Sequence, residues 1–327
     1  MDSEDQLIER VSRKFPAPQN GLRVGIGDDA AVLRPRARTE WVVTTDAFLE
    51  NVHFLRQAFP PEIVGHKALA RAASDIAAMG ARPKFFLLTL ALPASCTKKW
   101  LDDFLDGMAG AARRFGLALI GGDTTKYPVV VASLTVIGEV DPGKAILRSG
   151  ARPGDLIYVS GRLGEAELGL RLVQRGLHKS KRWKNLLRKH FHPEPRFDLG
   201  QWLGKRRCAT AMIDTSDGLS TDLGHICKAS GVGANLFEAK IPAVNIPPAL
   251  QRKGLDPLRL AVHGGEDYEL LFTVPKRLAP RLPGKVKGVP ITAIGEITRA
   301  KKIRLTDSSG HSAQLPPGGW DPFIKRN

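Results

Sequence analysis

The sequence predicts an α+β fold in two halves of similar size. Three observations predict it. Apolar runs of strand length alternate with runs at helical spacing. The pattern pauses at Asp141-Pro142-Gly143 and then restarts. The halves echo each other loosely, with Ser74-Asp75-Ile76 in the helix 61–79 of one and Ser216-Asp217-Gly218 opening a helix of the other. The expected domains are therefore 1–140 and 141–327.

The first half begins with a short amphipathic helix over 5–15 and turn-rich strands through Gly25–Leu33. Trp41–Asp46 follows as a strand. Residues 61–79 place Ile63, Val64, Ala68, Leu69, Ala72, Ala73 and Ile76 on one helical face, stopped by Gly80 and Pro83. Residues 85–92 are a buried strand by length and composition. Thr97 is the expected cap of a helix carrying Leu101, Phe104, Leu105, Met108, Ala112 and Phe115, ended by Gly116. A short strand, Leu117–Ile120, is expected to stop at Gly121-Gly122-Asp123-Thr124-Thr125, and 129–137 forms another. In the second half the same reading gives strand Leu156–Ser160, helix 164–175, strand Ala209–Ile213, a helix ending at Ser230-Gly231, strand Tyr268–Val274, and short strands in the tail.

Composition narrows the class. Hydrophobic residues are 43% and charged residues 25%, which fits a packed core and excludes a disordered or coiled-coil chain. No apolar run approaches the ~18 to 20 residues of a membrane span, and the acidic start is unlike a signal peptide. Three widely spaced cysteines, Cys96, Cys208 and Cys227, include no CxxC pair, so a reducing cytoplasm without disulfides is expected. The net charge of +16 is uneven. Residues 1–140 hold 17 basic and 16 acidic residues, whereas 171–207 hold 12 basic and 2 acidic. Such a patch attracts polyanions in principle, but a solvated face is the plainer reading.

The chemistry lies in carboxylates beside glycines or hydroxyls at the ends of apolar runs: Asp28-Asp29, Asp46 after Thr44-Thr45, Asp75, Asp123, and Asp214 with Asp217. One such residue is usually a turn or a cap. Seven in one pattern imply cations between them, because clustered like charges repel. Oxygen ligands without thiolates favour Mg²⁺ or Mn²⁺, and Mg²⁺ commonly brings a phosphorylated ligand. Gly25-x-Gly27, Gly121-Gly122 and Gly264-Gly265 let backbone approach phosphate closely. No Walker A loop, protein-kinase set, third Rossmann glycine, HExxH or GxSxG elbow occurs.

In order along nearly the whole chain, Gly25–Val32, Thr44-Thr45-Asp46, Asn51-Val52-His53-Phe54, Lys67–Ala81, Gly121–Thr124, Arg148–Asp155, Gly161–Gly164, Asp214–Leu219 and Gly264–Phe272 resemble the thiamine-monophosphate kinases, in the aminoimidazole ribonucleotide synthetase superfamily. The resemblance implies an N-terminal mixed α/β half contributing strands to a barrel shared across a homodimer, and a C-terminal α/β sandwich completing the active site. It implies transfer of phosphate from ATP to thiamine monophosphate, giving thiamine diphosphate. By motif match, Asp29, Thr44, Thr45, Asp46, Asp75, Asp123, Asp214 and Asp217 would hold several Mg²⁺ ions. Gly121, Gly122, Asp123, Arg148 and Ser216 would contact ATP. His53 would meet the substrate phosphate, and Glu266 and Trp320 would line the thiamine pocket. Asp46, Asp123, Arg148 and Asp217 would carry catalysis. The sequence departs from the family at Ser149, at Leu105, at Arg71-Ala72-Ala73 before Ser74-Asp75, and in the basic segment 178–184. The alternatives are another ATP-dependent synthetase of the superfamily and a basic RNA-binding module. No RNA-binding motif supports the latter, and no Cys precedes Cys96 to support selenophosphate synthesis.

Overall fold

The computed structural model describes residues 10–15, 21–24, 32–33, 35–321 and 323 of the 327-residue chain. It forms two compact units, Met1–Ile76 with Ala81–Gly143, and Ala77–Gly80 with Lys144–Asn327.

In the first unit, β1 (Leu22–Val24) pairs with β2 (Val32–Leu33). Then come β3 (Glu40–Leu49), α1 (Pro61–Ala78), β4 (Arg82–Leu92), α2 (Lys99–Phe115), β5 (Ala118–Lys126) and β6 (Val131–Val140). The four long strands form one open sheet in the order β3-β6-β4-β5. Only β4 and β5 run parallel, joined by the α2 crossover that parallel pairing requires. The small apolar stripe of α1 is buried as its spacing predicts, with Val64, Leu69, Ala72, Ala73 and Ile76 shut off from solvent. Two local expectations are corrected. Thr97 does not cap α2, because its hydroxyl donates to the Ala94 carbonyl at 3.0 Å and the cap position is Lys98. Gly121-Gly122 does not end β5, which continues to Lys126 because its ladder with β4 persists past a bulge. Gly116 does end α2, in the left-handed conformation.

The second unit is an eight-stranded sheet covered by helices. In chain order it contains β7 (Asp155–Ser160), α3 (Glu165–Gln174), α4 (Phe197–Arg206), β8 (Ala211–Asp214), α5 (Leu219–Ser230), β9 (Gly233–Phe237), α6 (Pro257–His263), β10 (Leu270–Pro275), β11 (Lys285–Val286), β12 (Val289–Thr298), β13 (Ile303–Thr306) and β14 (Ser312–Gln314). The order is β14-β13-β9-β12-β7-β10-β8, with β11 beside β12. Alternation splits each central strand between two cores. Ile157, Val159, Ile213 and Leu271 pack with Leu219, Leu223 and Ile226 of α5. Tyr158, Met212, Phe272 and Val274 pack with Leu199 and Leu203 of α4. The strands are apolar on both faces because both faces are covered.

The basic stretch is part of this core scaffold as well as of the surface. Lys189 and Arg196 turn inward and bond the buried carboxylate of Glu269, Arg196 through Nε at 2.7 Å. Ser160 donates to the same carboxylate at 2.5 Å. Among the described residues, no helix is long and apolar enough to cross a membrane.

Candidate active site

In the first unit, β3 presents Thr44, Asp46 and Phe48 on one face and Trp41, Val43 and Thr45 on the other. The face with Thr44 meets α1. The Thr44 hydroxyl donates to Asp75 Oδ2 at 2.6 Å, and Arg71 bonds the Asp46 carboxylate with Nε at 3.1 Å and Nη2 at 3.3 Å. Thr44, Asp46 and Asp75 are thus brought together. Thr45 lies on the opposite face, its hydroxyl 3.4 Å from that of Thr135. Asp123 aligns with Thr89, Ser133 and Ala47 across the sheet, three strand spacings (~14 Å) from β3 and on the Thr45 face. Gly122 comes close to β4, since a Cβ there would lie 1.9 Å from the Leu88 carbonyl. His53 sits in the turn after β3, where the Leu49 amide donates to its Nδ1 at 3.0 Å. The imidazole is thereby held as the tautomer with its proton on Nε2. Asp29 lies outside the described residues, as does most of Gly25–Val32.

In the second unit, three segments tie one knot at the end of β8. Asp214 ends the strand, buried, and the chain passes through Thr215-Ser216-Asp217-Gly218 into α5. The Glu266 amide donates to the Ser216 carbonyl at 2.8 Å, and the Trp320 amide donates to the Asp217 carbonyl at 2.8 Å. The tail is strapped down by Gly318 and Gly319, whose amides donate to Ser220 Oγ and Thr221 Oγ1. Only glycine fits at 319, because a Cβ would lie 2.0 Å from the Asp217 carbonyl. Asp214, Ser216, Asp217, Glu266 and Trp320 therefore share one place, with the Trp320 ring partly exposed beside it. The Arg148 backbone lies toward the start of β8 and the far end of α5, and its side chain acts on the middle of that helix. Its carbonyl accepts from Ser230 Oγ at 3.3 Å, and burial, then the Arg148 charge, lowers the pKa of His225, partly offset by Asp217.

Several residues that matter here escaped the sequence reading. Asp222 is buried and accepts from the amides of Gly218 at 2.9 Å and Asp217 at 3.3 Å. It holds the loop shut as a capping-box acid does, and an acid in the first turn of α5 was the available signal. Burial, then the charges of Asp214 and Asp217, push its pKa well above the usual carboxylate range. His190, also buried, puts Nδ1 3.4 Å from Glu266 Oε2, and only its place in a basic run was visible beforehand.

The donor set fits a hard divalent cation. All the assembled ligand groups are oxygens, and negative potential accumulates where Asp214, Asp217 and Asp222 crowd. Among the described residues, no three His, Cys, Asp or Glu side chains already form a ready metal cluster.

Comparison with known proteins agrees with the geometry. Residues 27–140 match the family model for the AIR synthase related protein, N-terminal domain, and 152–308 match that for its C-terminal domain. Thiamine-monophosphate kinase of Escherichia coli (strain K12) is 38% identical over 327 residues, covering 98% of each chain. That of Bacillus subtilis (strain 168) is 37% identical, covering 93% of this chain and 94% of its own. Among solved structures, thiamine-monophosphate kinase from Stenotrophomonas maltophilia K279a superposes with a TM-score of 0.82 at 38% identity, over 95% of this chain and 98% of that one. AaThiL complexed with AMPPCP and TMP gives 0.79 at 31% identity, over 98% and 97%. Two AIR-synthase-related domains in order, and likeness over nearly the full length of these relatives, place this chain in the thiamine-monophosphate kinase family.

Proposed function

We propose that this chain transfers the terminal phosphate of ATP directly, in line, to thiamine monophosphate, producing thiamine diphosphate and ADP. The observation that carries the reading is the knot at the end of β8, where Asp214, Ser216 and Asp217 adjoin Glu266 and Trp320. A carboxylate pair suits a metal–polyphosphate, and a carboxylate beside an exposed aromatic face suits a cationic thiazolium.

The acceptor is a phosphate oxygen, largely deprotonated at neutral pH, so no strong base is required. The task is to bring two polyanions together and hold them aligned. Arg148 clamps the polyphosphate, Ser216 and the backbone at Gly121 and Gly122 bind ATP, and His53 offers its Nε2 proton to the substrate phosphate. Glu266, braced by His190, and Trp320 take the thiamine cation. Bound Mg²⁺, for which Asp29, Thr44, Thr45, Asp46, Asp75, Asp123, Asp214 and Asp217 are the ligand candidates, would neutralise and align the phosphate oxygens. The working form is a homodimer, supported by the open four-stranded sheet that exposes Trp41 and Val43 on one face.

The test is purified protein with ATP, Mg²⁺ and thiamine monophosphate, with the products separated by chromatography. Thiamine diphosphate should appear in step with ADP. ADP without the diphosphate would refute the proposal.

A further inference from the structure

A cation is already seated on one of the carboxylates proposed to hold metal. Arg71 and Asp75 lie one turn apart on α1, and both reach β3. The Arg71 guanidinium meets Asp46 as a fork, with Nε 3.1 Å from Oδ2 and Nη2 3.3 Å from Oδ1. Both oxygens are engaged, the geometry in which an arginine holds a carboxylate most firmly. The guanidinium also lies over the Phe48 ring, 5.4 Å from its centroid. The pair is largely shielded, with the Arg71 side chain 14% exposed and that of Asp46 31%. The flanking Ala70 and Ala72 are fully buried, which pins the helix, so release of Asp46 must come from the side chain itself. A divalent ion binding Asp46 shares a carboxylate on which Arg71 already takes one acceptor site of each oxygen, and it is repelled by the positive charge.

We infer that Arg71 is a resident counter-ion on Asp46 that competes with a divalent cation for this carboxylate, and that it thereby weakens metal binding by this chain. This rests on Asp46 being a metal ligand. The competing role, a purely structural ion pair, predicts the opposite sign, because losing a structural pair loosens the site and weakens metal binding.

The experiment is a Mn²⁺ titration of the full chain without nucleotide, followed by electron paramagnetic resonance of the free ion. Arg71→Met keeps the aliphatic stem over Phe48 and removes the charge. It should bind Mn²⁺ at least about tenfold more tightly than the unmodified protein. Arg71→Gln should shift in the same direction, and it decides the matter if Arg71→Met does not fold. Arg82→Met removes an exposed cation paired with Glu139 and should leave the affinity unchanged. An Arg71 variant binding no more tightly overturns the inference, as does an equal gain in Arg82→Met, which would reduce the effect to net charge. Asp46→Asn separates the two layers. If it weakens Mn²⁺ binding while the Arg71 variants gain nothing, only the counter-ion role fails. If it leaves binding unchanged, the metal reading of Asp46 fails and the inference with it.

Discussion

Asp46 and Asp217 occupy different settings, and each offers a carboxylate that a neutral amide of the same shape can replace. Asp46→Asn keeps one acceptor for Arg71, and Asp217→Asn leaves the backbone bonds of its loop in place. Each should lower turnover by more than ~100-fold, the scale of losing one electrostatic contact to the transition state. Circular dichroism and melting should change little. Trp320 contributes a partly exposed aromatic face, so its worth to a cation is about 0.5–1 kcal/mol. Trp320→Ala should therefore raise the KM for thiamine monophosphate about two- to fivefold and leave that for ATP nearly unchanged. Steady-state kinetics with each substrate varied in turn checks this. Asp222 accepts from two backbone amides. Asp222→Ala strands the Asp217 and Gly218 amides and should cost about 1–3 kcal/mol in urea unfolding.

The segment Gly264–Phe272, just before and into β10, shows how one short stretch serves two purposes. Asp267 and Glu269 are both buried, two residues apart, yet their acidities move in opposite directions. Burial drives Asp267 up to about 7, only partly offset by Lys189 and by the Ala166 and Gly164 amides it caps at the start of α3. Burial also opposes the Glu269 charge, but Lys189 and Arg196 overcome it and hold the group at about 2. Unfolded Glu titrates near 4.3, so the Glu269 contribution to stability is complete above about pH 5 and is lost as pH falls toward 2. Asp267 acts the other way, since the native state keeps its proton longer and stability falls as pH rises from about 4 to 7. Glu269→Gln leaves two cations without their counter-charge and should cost about 3–5 kcal/mol, with a flatter acid limb than the unmodified protein. Urea midpoints measured from pH 3 to 8 for both proteins test this. The basic run 171–207 therefore owes two of its cations to the core.

For the molecule as a whole, the open sheet of the first unit poses the question of assembly. Its Val43 is 59% exposed on the face shared with Trp41, on a strand whose other face is engaged by α1. Val43→Glu should shift a homodimer toward monomer in sedimentation velocity and lower activity in proportion. An unchanged sedimentation coefficient in a protein that is dimeric would place the interface elsewhere.

Element type was largely legible from periodicity, because spacing reports which face is buried. α1, α2 and α5 fall where the apolar stripes and the closing Gly116 and Gly231 put them. Boundaries were less so. β5 runs through its glycines because a partner strand bonds them, and that partner is distant in sequence. The acid motifs were readable as chemistry, since Asp beside Gly or Ser at a strand end is a local pattern. The partners of those acids were not. That Thr44 and Asp46 share a face which Thr45 leaves follows from strand alternation, but Asp75 and Arg71 arriving there depend on how α1 lies on β3. That Trp320 lies beside Asp217 depends on a tail strapped to α5 from about a hundred residues away. Short-range pattern determines residue type and element, because propensity and burial act over one or two turns. Which charge meets which is settled by long-range packing, where a carboxylate can find arginine, amide or metal with equal chemical reason.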